Sequence, residues 1–288
     1  MSAVGLVPVM ALADRGGLSD LVGEHAALAK PGGCNAPIKV SARVAGMVAG
    51  ADSIDDMDLL RHWGMGRLFG GIRAPSTCGT FLRAFTFGHV LQLAAVSRRL
   101  LAGLAGRAPL LPGADEVSFV DIDDTMKATY GYAKQGAGYG YNGVKGLNAL
   151  LGTITTPTGA PLICGALLRK GNTSSARGAA RFVAGCVHTA KGAGAGADGG
   201  LIVMRADSAF YAQAVVAAAR RSGARFSITA RQNRSVQAAI ATIDDHAWTP
   251  IQYPNAIWEQ TEQRWISDAG PSLLSGGPRR GDGAECAR

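Results

Sequence analysis

Charge is scarce in this chain: Asp, Glu, Lys and Arg make up only 17% of its 288 residues, against 47% hydrophobic residues. A composition so poor in charge excludes general disorder and can supply a sizeable core. Cysteine pairing is also missing. Cys34, Cys78, Cys164, Cys186 and Cys286 are scattered without a C-x-x-C spacing. Their odd number excludes a fully paired disulfide framework and points to a reducing compartment. No uninterrupted apolar run approaches the ~18 residues of a membrane span. The N-terminus lacks a basic region followed by a signal core. A cytoplasmic protein with no membrane partner is the expectation. The histidines, His25, His62, His89, His188 and His246, lack the spacing of zinc ligands. The absence of a G-x-S-x-G elbow argues against a serine hydrolase of that type.

The charge that is present leans one way. Lys+Arg number 29 against 21 for Asp+Glu, a formal charge of +8, and 22 of the 29 are Arg. Arg forms forked contacts with phosphate, so a polyanion partner fits the composition. The pairs Arg98-Arg99 and Arg220-Arg221, and Arg177 with Arg181 four residues on, read singly as solvated helix faces. Collectively they suit phosphate contacts, which position DNA without specifying its sequence.

Along the chain, the first third reads as helical. Residues 41–50 and 53–68 carry apolar residues at helical spacing, with Asp52 or Ser53 as a cap. Ser76 or Thr77 can cap a helix running from there to Leu104, with a bend at Gly88. The run Ala108-Pro109-Leu110-Leu111-Pro112-Gly113 breaks the periodicity and marks a boundary. Beyond it the period changes to two. Val117, Phe119, Asp121 and Asp123 fall on one face of a predicted strand, and Ser118, Val120 and Ile122 on the other. Residues 147–156 and 161–169 read as a hairpin around Pro157-Thr158-Gly159. A helix over 173–189, capped by Thr173 or Ser174, leads to a Gly/Ala loop at 192–200. Residues 201–204, 208–222 and 225–230 then form a strand, a helix closed by Gly223, and a parallel strand.

In that order of elements, Asp123 closes the first strand and Asp207 lies just past the fourth, where ligands of open α/β sheets gather. Two acids on neighbouring strand ends can hold a hard divalent ion, Mg²⁺ or Mn²⁺, that keeps phosphate oxygens among its ligands. Two such ions can activate a water or a 3′ hydroxyl and stabilise the leaving oxygen of a phosphodiester. The plainer reading makes Asp123 and Asp124 solvated turn acids and Asp207 the cap of the helix starting at Ser208. The two acids are 84 residues apart, so only adjacent central strands bring them together. The run Gly138-Tyr139-Gly140-Tyr141-Asn142-Gly143 satisfies G-x-G-x-x-G but lies well past the strand and lacks a following acid, so a Gly/Tyr loop is preferred to a dinucleotide site. Its neighbours Lys134, Gln135 and Lys145 suit phosphate contacts.

Three segments together carry a resemblance: Val120-Asp121-Ile122-Asp123-Asp124-Thr125, the stretch from Gly131-Tyr132-Ala133-Lys134 to Tyr141, and Leu201-Ile202-Val203-Met204-Arg205-Ala206-Asp207-Ser208-Ala209-Phe210-Tyr211. They resemble bacterial insertion-sequence transposases of the DDE type, group 1. The likeness extends over roughly residues 3–269 and includes the helical stretch from Gly50 to Asp58 and the turn Arg73-Ala74-Pro75-Ser76-Thr77. It implies an α/β fold: an RNase H-like mixed sheet with flanking helices, preceded by a helical N-terminal region. The implied division is 1–113 for binding element ends, 114–269 for catalysis and 270–288 as a disordered tail. It further implies Mg²⁺-dependent cleavage and transfer of double-stranded DNA at terminal repeats and target, with pairing of subunits into a homodimer.

On this sequence the resemblance places the first acid at Asp123, with Asp121 as competitor, and the second at Asp207. The third acid of such enzymes is a Glu on a helix after the fifth strand, beyond a β-rich insertion. Trp248, Ile251, Tyr253 and residues 258–266 look like the start of that insertion. After Ala269 the chain departs from the family pattern, and Glu259, Glu262 and Glu285 do not suit the position. An incomplete insertion and a missing final helix, from a truncated or frameshifted copy, are therefore expected, with strand cleavage weak or absent. A noncatalytic DNA-binding remnant is the competing class.

Overall fold

The computed structural model describes residues 4–29, 33–62, 71–131, 134–247, 257–261 and 263–266. They fall into two compact units, Met1–Ala230 and Arg231–Arg288.

The first unit begins with helices: α1 (Leu6–Arg15), α2 (Leu18–His25), α3 (Ala36–Val48), α4 (Pro75–Arg83) and α5 (Phe87–Ala105). Leu6, Met10, Leu18, Val22, Ala45, Leu60, Phe81 and Val96 bury into one apolar cluster, as the periodic spacing requires. The single helix expected over 76–104 is two helices, and the break lies at Ala84–Thr86 rather than at Gly88. Thr86 and His89 form a reciprocal capping box that starts α5 afresh: the Thr86 N–H donates to His89 Nδ1 at 2.9 Å. The other ring nitrogen of His89 lies 3.2 Å from the Ala27 carbonyl, so this histidine ties α5 to the chain leaving α2. Of the helix expected over 53–68, the described part is a short 3₁₀ turn, Asp55–Leu60. It is closed by Ser53 donating through its N–H (2.7 Å) and hydroxyl (2.7 Å) to the Asp56 carboxylate. Those hydrogen bonds from Ser53 hold the Asp56 carboxyl below its ordinary pKa.

The remainder of this unit is a mixed sheet. Its strands are β1 (Val117–Ala128), β2 (Gly138–Tyr139), β3 (Lys145–Thr155), β4 (Leu162–Lys170), β5 (Leu201–Ala206) and β6 (Arg225–Ile228). β1 is central. β3 lies antiparallel on one side of it, with β4 and the short β2 both pairing the far edge of β3; β5 and then β6 run parallel on the other side. Apart from β2, which lies in the stretch expected to be a Gly/Tyr loop, this is the anticipated succession of three strands, a helix, a strand, a helix and a parallel strand. The expected mixed α/β sheet with flanking helices is what the structure shows.

One face of the sheet is the core. Val120 and Ile122 of β1, Leu150 and Ile154 of β3, and Ile202 and Met204 of β5 pack against helix α6 (Ala179–Gly192) through Val183, Cys186 and Val187. Helix α7 (Gln213–Arg221) adds Val215 and Ala219. Leu101 of α5 joins the same cluster. Three expectations need correction here. β1 continues past Asp123 to Ala128 because β3 keeps pairing it, from Phe119↔Thr155 to Ala128↔Gly146; the ladder outweighs the low strand preference of Asp. α6 starts at Ala179 instead of 173, because the carbonyls of Ser174, Ser175 and Arg177 accept from the Arg169 guanidinium instead of opening a helix. The helix after β5 is interrupted: a 3₁₀ turn, Ser208–Phe210, precedes α7, with Phe210 fully buried in the core.

The second unit contains α8 (Arg234–Ala241), capped by Asn233, whose side-chain Oδ1 accepts from the Val236 N–H at 3.0 Å. A two-stranded hairpin follows, β7 (Ile257–Glu259) against β8 (Arg264–Ile266), with Trp258 opposite Trp265. Helix α8 escaped the sequence reading although Asn233 is a regular N-cap. The hairpin matches the β-rich start expected over 258–266; Trp248, Ile251, Tyr253, Glu262 and the tail 270–288 lie outside the described residues. No helix among the described residues is long and apolar enough to cross a membrane.

Candidate active site

The pairing of β1 with β5 ends at Ile122↔Ala206. The next residue along each chain segment is an acid, Asp123 still within β1 and Asp207 just past the end of β5, so two acids follow the last paired rung of strands spaced ~4.8 Å apart. Both residues are exposed. Each has one oxygen committed locally: Asp123 Oδ1 accepts from the Asp124 N–H at 2.7 Å, and Asp207 Oδ1 from the Ala209 N–H at 3.0 Å. The second bond makes Asp207 the cap of the 3₁₀ turn after β5, so the capping role and a position at the strand end coexist. The other carboxylate oxygen of each has no protein partner among the described residues.

Alternation fixes what the neighbouring acids do. Asp121 lies on the same face as Asp123, and its register partner is Arg205. The guanidinium donates from Nε to Asp121 Oδ1 at 2.6 Å and from Nη2 to Oδ2 at 2.8 Å, while stacking over the Phe119 ring at 4.2 Å. The forked hydrogen bond to Asp121 raises the Arg205 pKa. Both oxygens of Asp121 are therefore engaged.

Asp124 points the other way, into the core face, and sequence reasoning missed its role by treating it as a solvated turn acid. Its side chain is 6% exposed and pairs with Arg169, 7% exposed, at 3.1 Å. Asn148 Nδ2 donates to the same carboxylate oxygen at 2.6 Å. Arg169 in turn donates from Nε to Asn148 Oδ1 at 2.9 Å and from Nη1 to the Arg177 carbonyl at 2.6 Å. Burial lowers the Arg169 pKa and the Asp124 charge opposes that shift. The signal was present in the strand alternation: Ser118, Val120 and Ile122 face the core, and Asp124 is the next residue in that series.

A divalent ion requires hard oxygen donors. Asp123 and Asp207 fit in kind, as two exposed carboxylates each with an uncommitted oxygen. They do not complete a set, since among the described residues no group of three or more His, Cys, Asp or Glu is placed to hold a metal. The Gly138–Gly143 run is no nucleotide turn: β2 folds back on β3 through Gly138↔Gly146 and Tyr139↔Lys145, with no helix following. Buried Cys164 and Cys186 are free thiols; the Cys186 thiol's hydrogen bond to Cys164 and its burial raise the Cys186 pKa well above its usual value, the opposite of what activates a thiolate nucleophile.

Among curated proteins nothing matches the chain. The crystal structure of the Mos1 strand transfer complex is similar at 13% sequence identity, over 73% of this chain and 64% of that one, with a TM-score of 0.23. This chain thus spans less than two thirds of the Mos1 chain, and a likeness so low carries no argument. The sequence, by contrast, matches the family Transposase DDE domain group 1 over residues 36–269, most of its length and all of the described sheet. The chain belongs to the group 1 DDE transposase family.

Proposed function

We propose that the chain works in DNA transposition, with Asp123 and Asp207 holding Mg²⁺, or Mn²⁺ in its place, for strand cleavage and transfer at the ends of an insertion sequence. The observation that supports this reading is the register Ile122↔Ala206, which brings two acids 84 residues apart in the chain to one end of the sheet. A bound divalent ion supplies activation of the attacking oxygen and neutralises charge developing on the phosphodiester. The chain's own part is to present the donors. The Ala209 N–H holds the Asp207 carboxylate by one oxygen and leaves the other free; the Asp124 N–H does the same for Asp123. Arg205 keeps Asp121 out of the donor set by occupying both of its oxygens. The helical region 1–113 binds the element ends and helps pair two copies, and basic surfaces hold the DNA backbone.

The test has two readouts. Mn²⁺ binding, followed by electron paramagnetic resonance, is expected for the parent chain and lost in Asp123→Ala and Asp207→Ala. Mg²⁺-dependent nicking of a DNA carrying the terminal repeats should be lost with it. Equal Mn²⁺ binding and equal nicking in all three proteins would remove the site. Binding of the repeats by all three, with no cleavage by any and no bound Mn²⁺, supports the second reading instead, a noncatalytic DNA-binding protein.

A further inference from the structure

The end of the sheet beyond the acid pair carries a surface that the proposed cleavage site does not use. From Thr125 through Ala197 the sequence contains no aspartate or glutamate, yet it holds eight lysines and arginines. Among the described residues the same stretch exposes three tyrosines at one sheet end: Tyr130 is 86% exposed, Tyr139 68% and Tyr141 80%. None of these rings has a hydrogen bond or ring contact among the described residues. Exposed aromatic rings grouped on a stretch of chain without acids mark a binding face.

The scaffold under them is tightly built. A Cβ on Gly146 would lie 2.2 Å from the Lys127 carbonyl oxygen, and one on Gly171 would lie 2.1 Å from the Gly146 carbonyl oxygen. Three backbones therefore meet here at distances only glycine allows. The Thr129 N–H donates to the Lys145 carbonyl (3.1 Å) and the Gly140 N–H to the Val144 carbonyl (3.0 Å), and the Val144 N–H donates to Asn142 Oδ1 (3.1 Å). The hairpin end is held by its own hydrogen bonds.

Its orientation relates it to the acids. Tyr139 is the register partner of Lys145, and Lys127 of Leu147. Side chains opposite one another share a face, and Lys127 and Asp123, four residues apart on β1, share one too. Lys127, Lys145 and Tyr139 thus lie on the same sheet face as Asp123, roughly 13 to 20 Å along it at ~3.3 Å per residue. That span equals about four to six rungs of DNA at ~3.4 Å per rung.

The geometry points to this hairpin end as a seat for unpaired bases beside the DNA segment held at the acid pair. Tyr139, Tyr141 and Tyr130 stack on the bases, and Lys127 and Lys145 meet the phosphates. Stacking on aromatic rings tolerates any base and needs no hydrogen-bond readout, which agrees with a stretch that offers rings and ammonium groups and no carboxylate of its own. The identity of the ligand as DNA rests on the function proposed above; the seat itself does not depend on a metal.

The experiment uses the whole chain in EDTA, so that the acid pair contributes nothing. An oligonucleotide of about 16 nucleotides containing 2-aminopurine, and the same sequence as a blunt duplex, are titrated by fluorescence. The single strand should bind with quenching of the 2-aminopurine. Tyr139→Ala with Tyr141→Ala should abolish the quench and weaken single-strand binding about tenfold or more, with duplex binding changed less than about twofold. The matching Phe substitutions should keep both signals. Lys127→Ala with Lys145→Ala should weaken both DNAs and flatten the salt dependence by a slope of about 1.5. Wild-type quenching in the tyrosine-to-alanine protein overturns the proposal. So does an equal loss on duplex and single strand, or a change in sedimentation mass in place of single-strand affinity, which would assign the rings to a second copy of the chain. A chain that loses the quench with tyrosine removal yet never binds Mn²⁺ keeps this seat while sinking the metal site.

Discussion

Two aspartate–arginine pairs sit on opposite faces of the same sheet, and they are nearly reversed in character. Asp121–Arg205, on the open face, keeps 33% and 45% of its side chains exposed, whereas Asp124–Arg169, on the core face, keeps 6% and 7%. The first pair raises the Arg205 pKa through its hydrogen bond; in the second, burial lowers the Arg169 pKa despite the nearby carboxylate. The residues involved are three positions apart on β1, so the alternation of one strand converts similar chemistry into two different tasks. On the open face a carboxylate can meet a ligand. On the core face it has to be paired, because an isolated buried charge is too costly to keep.

The comparison breaks most visibly at Asp124. Asp124→Ala leaves the Arg169 guanidinium buried without its counter-charge and Asn148 without its acceptor, and should cost about 3–5 kcal/mol of folding stability. Urea unfolding of the full chain measures it. A loss below about 1 kcal/mol would mean that the network is solvated and the contrast between the faces is wrong. Replacing Arg169 by Met removes the charge from the other side; the double replacement should cost less than the sum of the two, since neither charge is then left alone.

A smaller effect is expected at Asp207, whose carboxylate caps the turn after β5. Asp207→Ala should cost about 1 kcal/mol, in the range of lost N-caps, and Asp207→Ser or Asn should recover most of it. Mn²⁺ binding separates the two roles: Ser restores the cap but not the anionic donor. If Ser restored metal binding as well, the charge at 207 would be irrelevant to the ion.

The fold was largely legible in sequence because its signals are local. The two-residue period of β1, the Pro157-Thr158-Gly159 turn and Gly223 after α7 each announce an element, and the order of elements restricts the topology. Length was less legible. β1 outruns Asp123 because β3 pairs it, and α6 starts late because Arg169 takes the carbonyls ahead of it; both depend on partners distant in the chain. The pair Asp123 and Asp207 could be read from the order of the strands, although β1 does not end at Asp123, but Asn148 and Arg169, 21 residues apart, gave no motif. Only adjacency of β3 and β4, at Asn148↔Arg169, brings them beneath Asp124.

Asp121→Ala, on the open face, should cost between about 0.2 and 1 kcal/mol, as exposed ion pairs do, and less in high salt. Its loss frees Arg205 next to the acid pair. Mn²⁺ binding should then weaken, since the freed guanidinium is a cation close to where the ion is held. Unchanged binding would place Arg205 outside the field of the site.

The smallest stability effect belongs to Asp123, and it sharpens the contrast most. Its side chain is exposed, it makes no ion pair among the described residues, and the residue that follows β5 at its level is another carboxylate, Asp207. Two like charges at one level repel, so Asp123→Ala should leave stability within about 0.5 kcal/mol of the parent in EDTA, with any change toward greater stability. Adding Mn²⁺ should raise the melting temperature of the parent, because an ion that binds only the folded chain stabilises it by mass action, and should leave that of the variant where it was. Asp123 and Asp124 are consecutive residues of the same type. A variant at 123 as unstable as one at 124 would show that both carboxylates serve the core, and the open face would then hold no place for an ion.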